Sequence, residues 1–321
     1  RSTSVTGIGA SAGYFTVDRF NINVNGTSGR LTMTQTADGP SGFANCIKLD
    51  CTTADTDMDA NKFIILEQRF EGQDLQRFMK GTSDAKEYAV SFYVKGNASA
   101  TYVAELFDVD NTRQVSKTFS VTTSWTRVEL TFPADTTGAF DDDNAQSLNL
   151  HLWLVSGTTY TSGTLSQTWT ANSGNNTNRA ARGGNFFSST DNTFFITGMQ
   201  LEVGSVATEF EHRSFGEELA LCQRYFQKSY NHDTALGSTG VNGYFQWRRD
   251  GGNRALIPMH TSMRDAPTAT AFNQSTGTSG QYRDASTSTN RTAGSFGVLG
   301  ENAVSFDCGA SGWGDLSTGN V

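Results

Sequence analysis

Short stretches of alternating apolar and polar residues dominate the first two thirds of the chain. In SLNLHLWLV, residues 147–155, four leucines at every second position face one way and the residues between them face the other. EYAVSFYV at 87–94 and TRVELTF at 126–132 show the same period of two. Such alternation is typical of strands that bury one face. About eight to ten such strands precede residue 212 with no helix between them, which predicts an all-β fold of antiparallel sheets packed face to face.

One predicted strand changes phase along its length. In FFITGMQLEV, residues 194–203, the apolar positions are even-numbered up to Ile196 and odd-numbered from Met199 onward. Gly198 lies between the two phases. A glycine at such a break predicts a β-bulge that resets the register of the strand.

A single segment, Ser214 to Tyr230, carries a helical pattern. Ser214 and Glu217 have the spacing of a capping box, in which each side chain satisfies the backbone N–H of the other residue. The apolar residues of this helix follow the four-three-four spacing of a coiled-coil seam: Phe215, Leu219, Cys222 and Phe226. Two interpretations stay open. Either the helix packs on its own domain, or three copies of the chain meet along this seam.

Strand-like sequence resumes after the helix. The segments that predict further strands are 244–249, 254–263 and 295–306. The predicted organisation is therefore a β domain over 1–211, a connecting helix over 212–230, and a second, smaller β-sandwich domain over 231–321.

Composition narrows the possible functions. The 24 lysines and arginines are outnumbered by 32 acidic residues, and the formal net charge is −8. This balance argues against nucleic-acid binding, because phosphates need a basic surface. No apolar run approaches the ~20 residues of a spanning helix, which argues against membrane insertion. The 33 glycines fit an exterior β protein with many turns.

The sequence around the helix resembles a junction found in fibre and tail-fibre proteins of bacteriophages. There, a carbohydrate-binding-type jelly roll ends in "QLE-G-AT-FE-R" and continues into "ELALCQRYY". The matching residues here are Gln200, Leu201, Glu202, Gly204, Ala207, Thr208, Phe210, Glu211, Arg213, Glu218, Leu219, Ala220, Leu221, Cys222, Gln223, Arg224 and Tyr225. MRDAPTATAF at 263–272 resembles the "MR–PT" segment that follows the helix in the same proteins, so the two motifs occur in the expected order.

This resemblance implies a jelly-roll β-sandwich over roughly residues 14–210. It also implies a homotrimeric virion fibre, assembled in the host cytoplasm, that attaches to host-surface glycans. The chain begins at Arg1, and we expect that a missing N-terminal region joins the fibre to other virion proteins. Two rival functions stay open: a structural or capsid-decorating fibre without a ligand, and a polysaccharide depolymerase.

The aromatic and polar residues on one face of 147–155 form the first candidate glycan site. A sugar stacks its C–H face on an aromatic ring, while amides and imidazoles bond its hydroxyls, so Trp153, His151 and Asn149 suit this task. Tyr93 joins them if its strand is a neighbour, and Trp169 in the long polar segment 156–192 is a second candidate. The alternative is that Trp153 fills a second core or a subunit interface.

An acidic cluster is the candidate metal site. Asp55, Asp57 and Asp59 alternate like the start of an EF-hand loop, but Ala60 and Leu66 stand where that loop needs glycine and glutamate. Either these carboxylates hold a structural Ca²⁺ or they form a solvated turn.

Support for catalysis is weak. Neither a G-x-S-x-G nor an H-E-x-x-H motif occurs. Carboxylate pairs for glycoside cleavage, such as Glu105 with Asp108 or Glu67 with Glu129, are better explained by chance, because carboxylates are common in the predicted strands. Cys46 and Cys51 are spaced for a disulfide bridge or for two free thiols.

Overall fold

The computed structural model describes residues 2–172, 177–241, 254–284, 288–293, 295–298 and 300–307. The chain forms two compact units: one is Thr3–His212, and the other begins at Arg213 and takes in the first two residues. The predicted helix lies within the second unit.

The first unit is almost entirely β-structure. Its strands are β1 (Ser4–Ile8), β2 (Phe20–Asn25), β3 (Arg30–Thr36), β4 (Cys46–Thr53), β5 (Phe63–Glu71), β6 (Tyr88–Gly96), β7 (Ala100–Asp108), β8 (Arg113–Val121), β9 (Thr126–Phe132), β10 (Gln146–Ser156), β11 (Thr170–Ala171) and β12 (Thr193–Val203). A four-residue helix, α1 (Thr158–Thr161), follows β10, and short 3-10 helices span Gly72–Asp74, Gln76–Phe78 and Phe186–Ser188.

Within the described residues, the twelve strands form two six-stranded sheets. The first sheet has the order β1-β3-β4-β12-β6-β9, and the second has the order β11-β8-β7-β10-β5-β2. All strand pairs are antiparallel. Neighbours in each sheet are mostly distant in sequence, as in a jelly roll. The predicted antiparallel jelly-roll β-sandwich is confirmed.

The core lies between the two sheets. Phe92 of the first sheet meets Phe119 of the second edge-on, with ring centroids 5.1 Å apart. The four leucines of β10 face this core, as their alternation predicts: Leu148, Leu150, Leu152 and Leu154. The burial of these side chains is the main force holding the sheets together, because stabilisation scales with the apolar area removed from water.

Gly198 produces the predicted bulge in β12. The pairing of β12 with β6 shifts between Thr197 and Gln200, and Gly198 has a φ of +60°. A Cβ on this glycine would lie 2.7 Å from the ring of Phe43. Both the backbone angle and the space therefore require glycine.

We predict that Gly198→Ala destabilises the first unit by about 1–3 kcal/mol, because it combines a left-handed backbone with a steric clash. Gly26→Ala is the matched control, since a Cβ at Gly26 meets nothing within 4 Å. Denaturant unfolding of the full chain measures both variants. Equal unfolding midpoints for the two would contradict the assignment of the bulge.

The second unit contains the helix α2 (Phe215–Gln223) and the strands β13 (Arg254–Pro258), β14 (Gln281–Asp284), β15 (Thr289–Thr292), β16 (Ser295–Val298) and β17 (Ala303–Asp307). In the described part of this unit, the strands form a three-stranded sheet of order β13-β17-β16 and a two-stranded hairpin of β14 and β15. Tyr282 and Phe306 are both buried and meet with ring centroids 5.7 Å apart. The predicted strand at 244–249 and Cys308 lie outside the described residues.

The capping box of α2 is confirmed, with Ser214 and Glu217 bonded in both directions. The helix is shorter than predicted. It ends at Gln223, whose carbonyl accepts a hydrogen bond from the side chain of Gln227 at 3.1 Å. Phe226 therefore lies beyond the helix, and the prediction that it continues the helical seam is wrong. In the described part of the chain, no helix has the length and apolar character needed to cross a membrane.

Candidate functional site

The outward face of the second sheet carries a line of polar side chains across five neighbouring strands. Strand pairing aligns one residue from each strand. In spatial order, this polar row consists of Asn21, Glu67, His151, Glu105 and Ser116. All five side chains point away from the core, because their apolar neighbours in sequence point into it. All five are at least 95% buried.

Ion pairs connect the middle of the polar row. His151 Nδ1 lies 2.8 Å from an oxygen of Glu105, and its Nε2 lies 3.4 Å from an oxygen of Glu67. The second distance is within ion-pair range but lacks good hydrogen-bond geometry. Arg179 donates from Nε and Nη2 to the two oxygens of Glu105, at 2.7 and 2.8 Å. Arg69 donates from Nε to Glu67. The result is a continuous chain of alternating charges.

This arrangement holds both carboxylates in their ionised form. Burial alone would raise the pKa of Glu105, but Arg179 and His151 outweigh it and lower that pKa to about 2. The same balance, with His151 and Arg69 as partners, lowers the pKa of Glu67 to about 2. Burial opposes the charged form of His151, yet its hydrogen bond to Glu105 and the nearby carboxylate of Glu67 raise its pKa. Each group of the network therefore stabilises the charged form of its neighbours.

The next row of the same face is partly open to solvent. Pairing aligns Arg69, Asn149, Phe107 and Gln114 from neighbouring strands, and we call these four residues the outer row. Phe107 is half-buried and Arg69 exposes 38% of its side chain. The guanidinium of Arg179 lies over the ring of Phe107, 4.8 Å from its centroid.

Several buried acceptors on this face lack a hydrogen-bond partner among the described residues. They are the side-chain oxygens of Asn21, Asn149, Gln114 and Ser116. Unpaired buried polar atoms are costly and uncommon in native proteins. These four oxygens are themselves buried, so they lie behind the partly exposed groups of the outer row.

Trp153, the first candidate for stacking on a sugar, lies under a second small core. It is 1% exposed, and its indole N–H donates to Glu105 at 2.9 Å. The segment after β10 folds over it and packs the following residues around it: Tyr160, Leu165, Ala180 and Ala181. The alternative prediction, that Trp153 fills a second core, is confirmed. Trp153 therefore presents no ring face to a sugar. Of the three predicted residues, only Asn149 belongs to the outer row.

Tyr93 and Trp169 do not join that face. Tyr93 belongs to β6 of the first sheet, where it pairs with Thr197 and faces outward on the opposite side of the sandwich. The prediction that it joins Trp153 is wrong, because strand phase does not reveal which sheet a strand enters. Trp169 is 9% exposed rather than free in a loop. Its indole N–H donates to the carbonyl of Pro133 at 2.7 Å, so the prediction of an exposed contact is also wrong.

The acidic cluster does not form a metal site. A carboxylate oxygen of Asp55 accepts the backbone N–H of Ser28 at 2.9 Å. Among the described residues, no three histidine, cysteine or acidic side chains converge as a metal site requires. Asp55, Asp57 and Asp59 lie in the connection between β4 and β5, and they do not converge on one point as the predicted Ca²⁺ site needs. Cys46 and Cys51 are free thiols.

The predicted oligomer interface stays a prediction. Phe215 exposes 78% of its surface, and no residue of α2 is buried. Leu219 and Cys222 are partly exposed on the same helix.

The sequence pattern did not single out Arg179 and Phe107, and it presented Glu105 only as one carboxylate of a possible catalytic pair. Glu105 and Phe107 occupy the outward phase of a strand whose other face is apolar, and a carboxylate in that position was a usable signal. Arg179 lies in the segment after β10, which has no periodic pattern. Only the fold places it beside Glu105.

We predict that Glu105→Gln destabilises the first unit by about 3–5 kcal/mol, because it leaves a buried guanidinium and imidazole without their shared counter-charge. Glu129→Gln is the matched control: Glu129 pairs with Arg127 but is 48% exposed, so its loss costs about 1 kcal/mol or less. Urea unfolding of the full chain measures both. Similar losses for the two variants would contradict a structural role for the network.

The loss of stability in Glu105→Gln should also depend on pH. The lowered pKa of Glu105 means that its contribution is complete above its ordinary value of 4.5 and is lost as the pH falls toward about 2. The difference between wild type and Glu105→Gln should therefore shrink through this acid range. A constant difference would show that charge is not its origin.

Comparison with known proteins found no matching family model and no matching curated protein. Among solved structures, the family 11 carbohydrate-binding module from Clostridium thermocellum, in complex with a β-1,3-1,4-mixed-linked tetrasaccharide, is 11% identical, with 64% of this chain and 98% of that chain covered and a TM-score of 0.32. The xylan-binding domain from CBM 22 is 13% identical, with 61% and 98% covered and a TM-score of 0.32. The enzymatically active domain of bacteriophage CBA120 tailspike protein 4 is 10% identical, with 63% and 19% covered and a TM-score of 0.29. At these scores the similarities carry no argument about function, and the β-sandwich is defined by its own strand pairing.

Proposed function

We propose that this chain is a glycan-binding component of a bacteriophage fibre, and that it binds host-surface glycan on the outward face of the second sheet. The observation that carries the proposal is the outer row, in which strand pairing places Asn149 between the half-buried ring of Phe107 and the partly exposed guanidinium of Arg69. An aromatic ring beside amide and guanidinium groups matches the apolar C–H face and the oxygen atoms of a sugar.

The outer row supplies both kinds of contact. The exposed part of Phe107, whose ring also contacts His151 and Arg179, packs against ring C–H groups of the sugar, with Asn149 aligned beside it. Arg69 and Arg179 add N–H donors for sugar oxygens. Binding sites of this type combine an apolar surface with a few well-placed polar groups.

The fibre part of the proposal is supported by sequence. The junction at 200–213, the matching residues at 218–225 and the segment at 263–272 resemble bacteriophage fibre proteins in the same order. In a trimer the face would be present three times. Weak individual sites then suffice, because each further contact is effectively intramolecular.

The carboxylates of the polar row support glycan binding without cleavage. Glycoside hydrolysis needs one carboxyl group that stays protonated to act as the general acid. Glu67 and Glu105 both have pKa values near 2. Each is also held by an arginine, so neither suits that role.

We predict that Phe107→Ala and Asn149→Ala each weaken binding of the full chain to host cells by roughly tenfold, about 1.4 kcal/mol. Binding of the labelled chain is measured before and after periodate oxidation of the cells. Tyr93→Ala, on the opposite sheet, is the matched control and should bind like wild type.

Circular dichroism and the unfolding midpoint establish that each variant is folded. Wild-type binding that survives periodate would exclude a glycan receptor. Periodate-sensitive binding that neither outer-row variant weakens would place the site elsewhere on the chain.

A second prediction concerns the homotrimer. Phe215→Ser should convert a trimer of the full chain to monomers, because it removes the most exposed apolar residue of the helical seam. Leu256→Ser is the matched control, since Leu256 is 62% exposed but lies in β13. Size-exclusion chromatography with light scattering measures the mass. A wild-type chain that stays monomeric at high concentration would exclude the trimer.

A further inference from the structure

The charges on the outward face of the second sheet are layered by depth. The two carboxylates, Glu67 and Glu105, have side chains that are 1% and 0% exposed. The guanidiniums paired with them lie closer to solvent, with side chains 38% exposed for Arg69 and 13% for Arg179. A ligand that approaches from solvent therefore meets positive groups first and negative groups only behind them.

The arginines also have hydrogen-bonding capacity left. Arg69 uses its Nε–H for Glu67 and interacts electrostatically with Tyr14. Its partly exposed side chain carries two further Nη groups that can donate to a ligand. Arg179 uses Nε and Nη2 for Glu105, which leaves Nη1. A guanidinium binds a carboxylate through parallel N–H donors, and it does so more strongly than a neutral oxygen.

The network places three basic side chains, Arg69, His151 and Arg179, around two carboxylates, Glu67 and Glu105. The guanidiniums form the solvent side of this network, although the chain as a whole carries −8. An anion that approaches this face therefore meets Arg69 before either carboxylate of the network.

We propose that the glycan bound on this face is acidic, and that Arg69 pairs with the carboxylate of a uronic- or sialic-acid-type sugar while Asn149 and Phe107 contact the sugar ring. This inference rests on the proposed function, since it names the class of glycan that the same site takes. The sugar carboxylate lies beside Arg69 in the outer row. It adds a negative charge next to the last positive charge of the network.

The test uses polysaccharide extracted from the cells that the full chain binds, in its native form and after chemical reduction of its carboxyl groups to alcohols. Reduction keeps the sugar backbone and removes only the charge. We expect it to weaken binding by at least tenfold. We also expect Arg69→Gln to weaken binding of the native polysaccharide by about tenfold and binding of the reduced form by less than twofold. A loss that depends on both partners measures their direct interaction.

Arg77→Gln is the matched control, because Arg77 is exposed and lies in the 3-10 helix Gln76–Phe78, outside both rows. It should bind both forms like wild type. Equal binding of native and reduced polysaccharide by the wild-type chain would overturn the acidic ligand but leave glycan binding intact. A bound polysaccharide that contains no acidic sugar would have the same consequence. Binding of neither form would overturn the proposed function and this inference together.

Discussion

The central strand of the second sheet is buried on both faces, and the architecture around it follows from this constraint. In β10, every residue from Ser147 to Val155 is buried. The leucines on one face need only the apolar core between the sheets. The other face carries an imidazole and an indole, whose polar atoms are costly to bury without partners. His151 accordingly lies between two carboxylates, and Trp153 is covered by the segment that follows the strand.

The same short segment, residues 179–181, covers Trp153 and supplies the arginine that pairs with Glu105 beside His151. Ala180 and Ala181 pack in the small core around Trp153, and the preceding residue, Arg179, reaches Glu105. Glu105 in turn accepts from both the imidazole and the indole. A single buried carboxylate thus anchors the segment over one part of the sheet. The adjacent outer row stays partly open, and this boundary defines the candidate site.

The resulting face differs from a simple aromatic platform. Its largest aromatic residue, Trp153, is buried in the second core, and the half-buried Phe107 contacts both His151 and Arg179. Under the proposed function, recognition at this face depends on hydrogen bonds and charge more than on apolar area, because the partly exposed groups are one ring and two guanidiniums.

Local sequence determined the strands, the bulge and the helix cap. The alternation in 147–155, the phase break at Gly198 and the pairing of Ser214 with Glu217 involve neighbours within a few residues. Side-chain direction in a strand and donor satisfaction at a helix start depend on backbone geometry alone, so these features are visible without the fold. The outward direction of Asn149, His151 and Trp153 was predictable for the same reason.

Only the tertiary structure decides which outward-pointing side chains are exposed to solvent and which residues they contact. Trp153 points outward from its sheet as predicted, yet a segment without periodicity buries it. Tyr93 also points outward, but from the other sheet, because long-range pairing assigns each strand to its sheet. The ion pairs of His151 and Glu105 join three strands and a loop that are far apart in sequence. No local pattern encodes those distances, and the candidate site exists only where the folded chain brings these residues together.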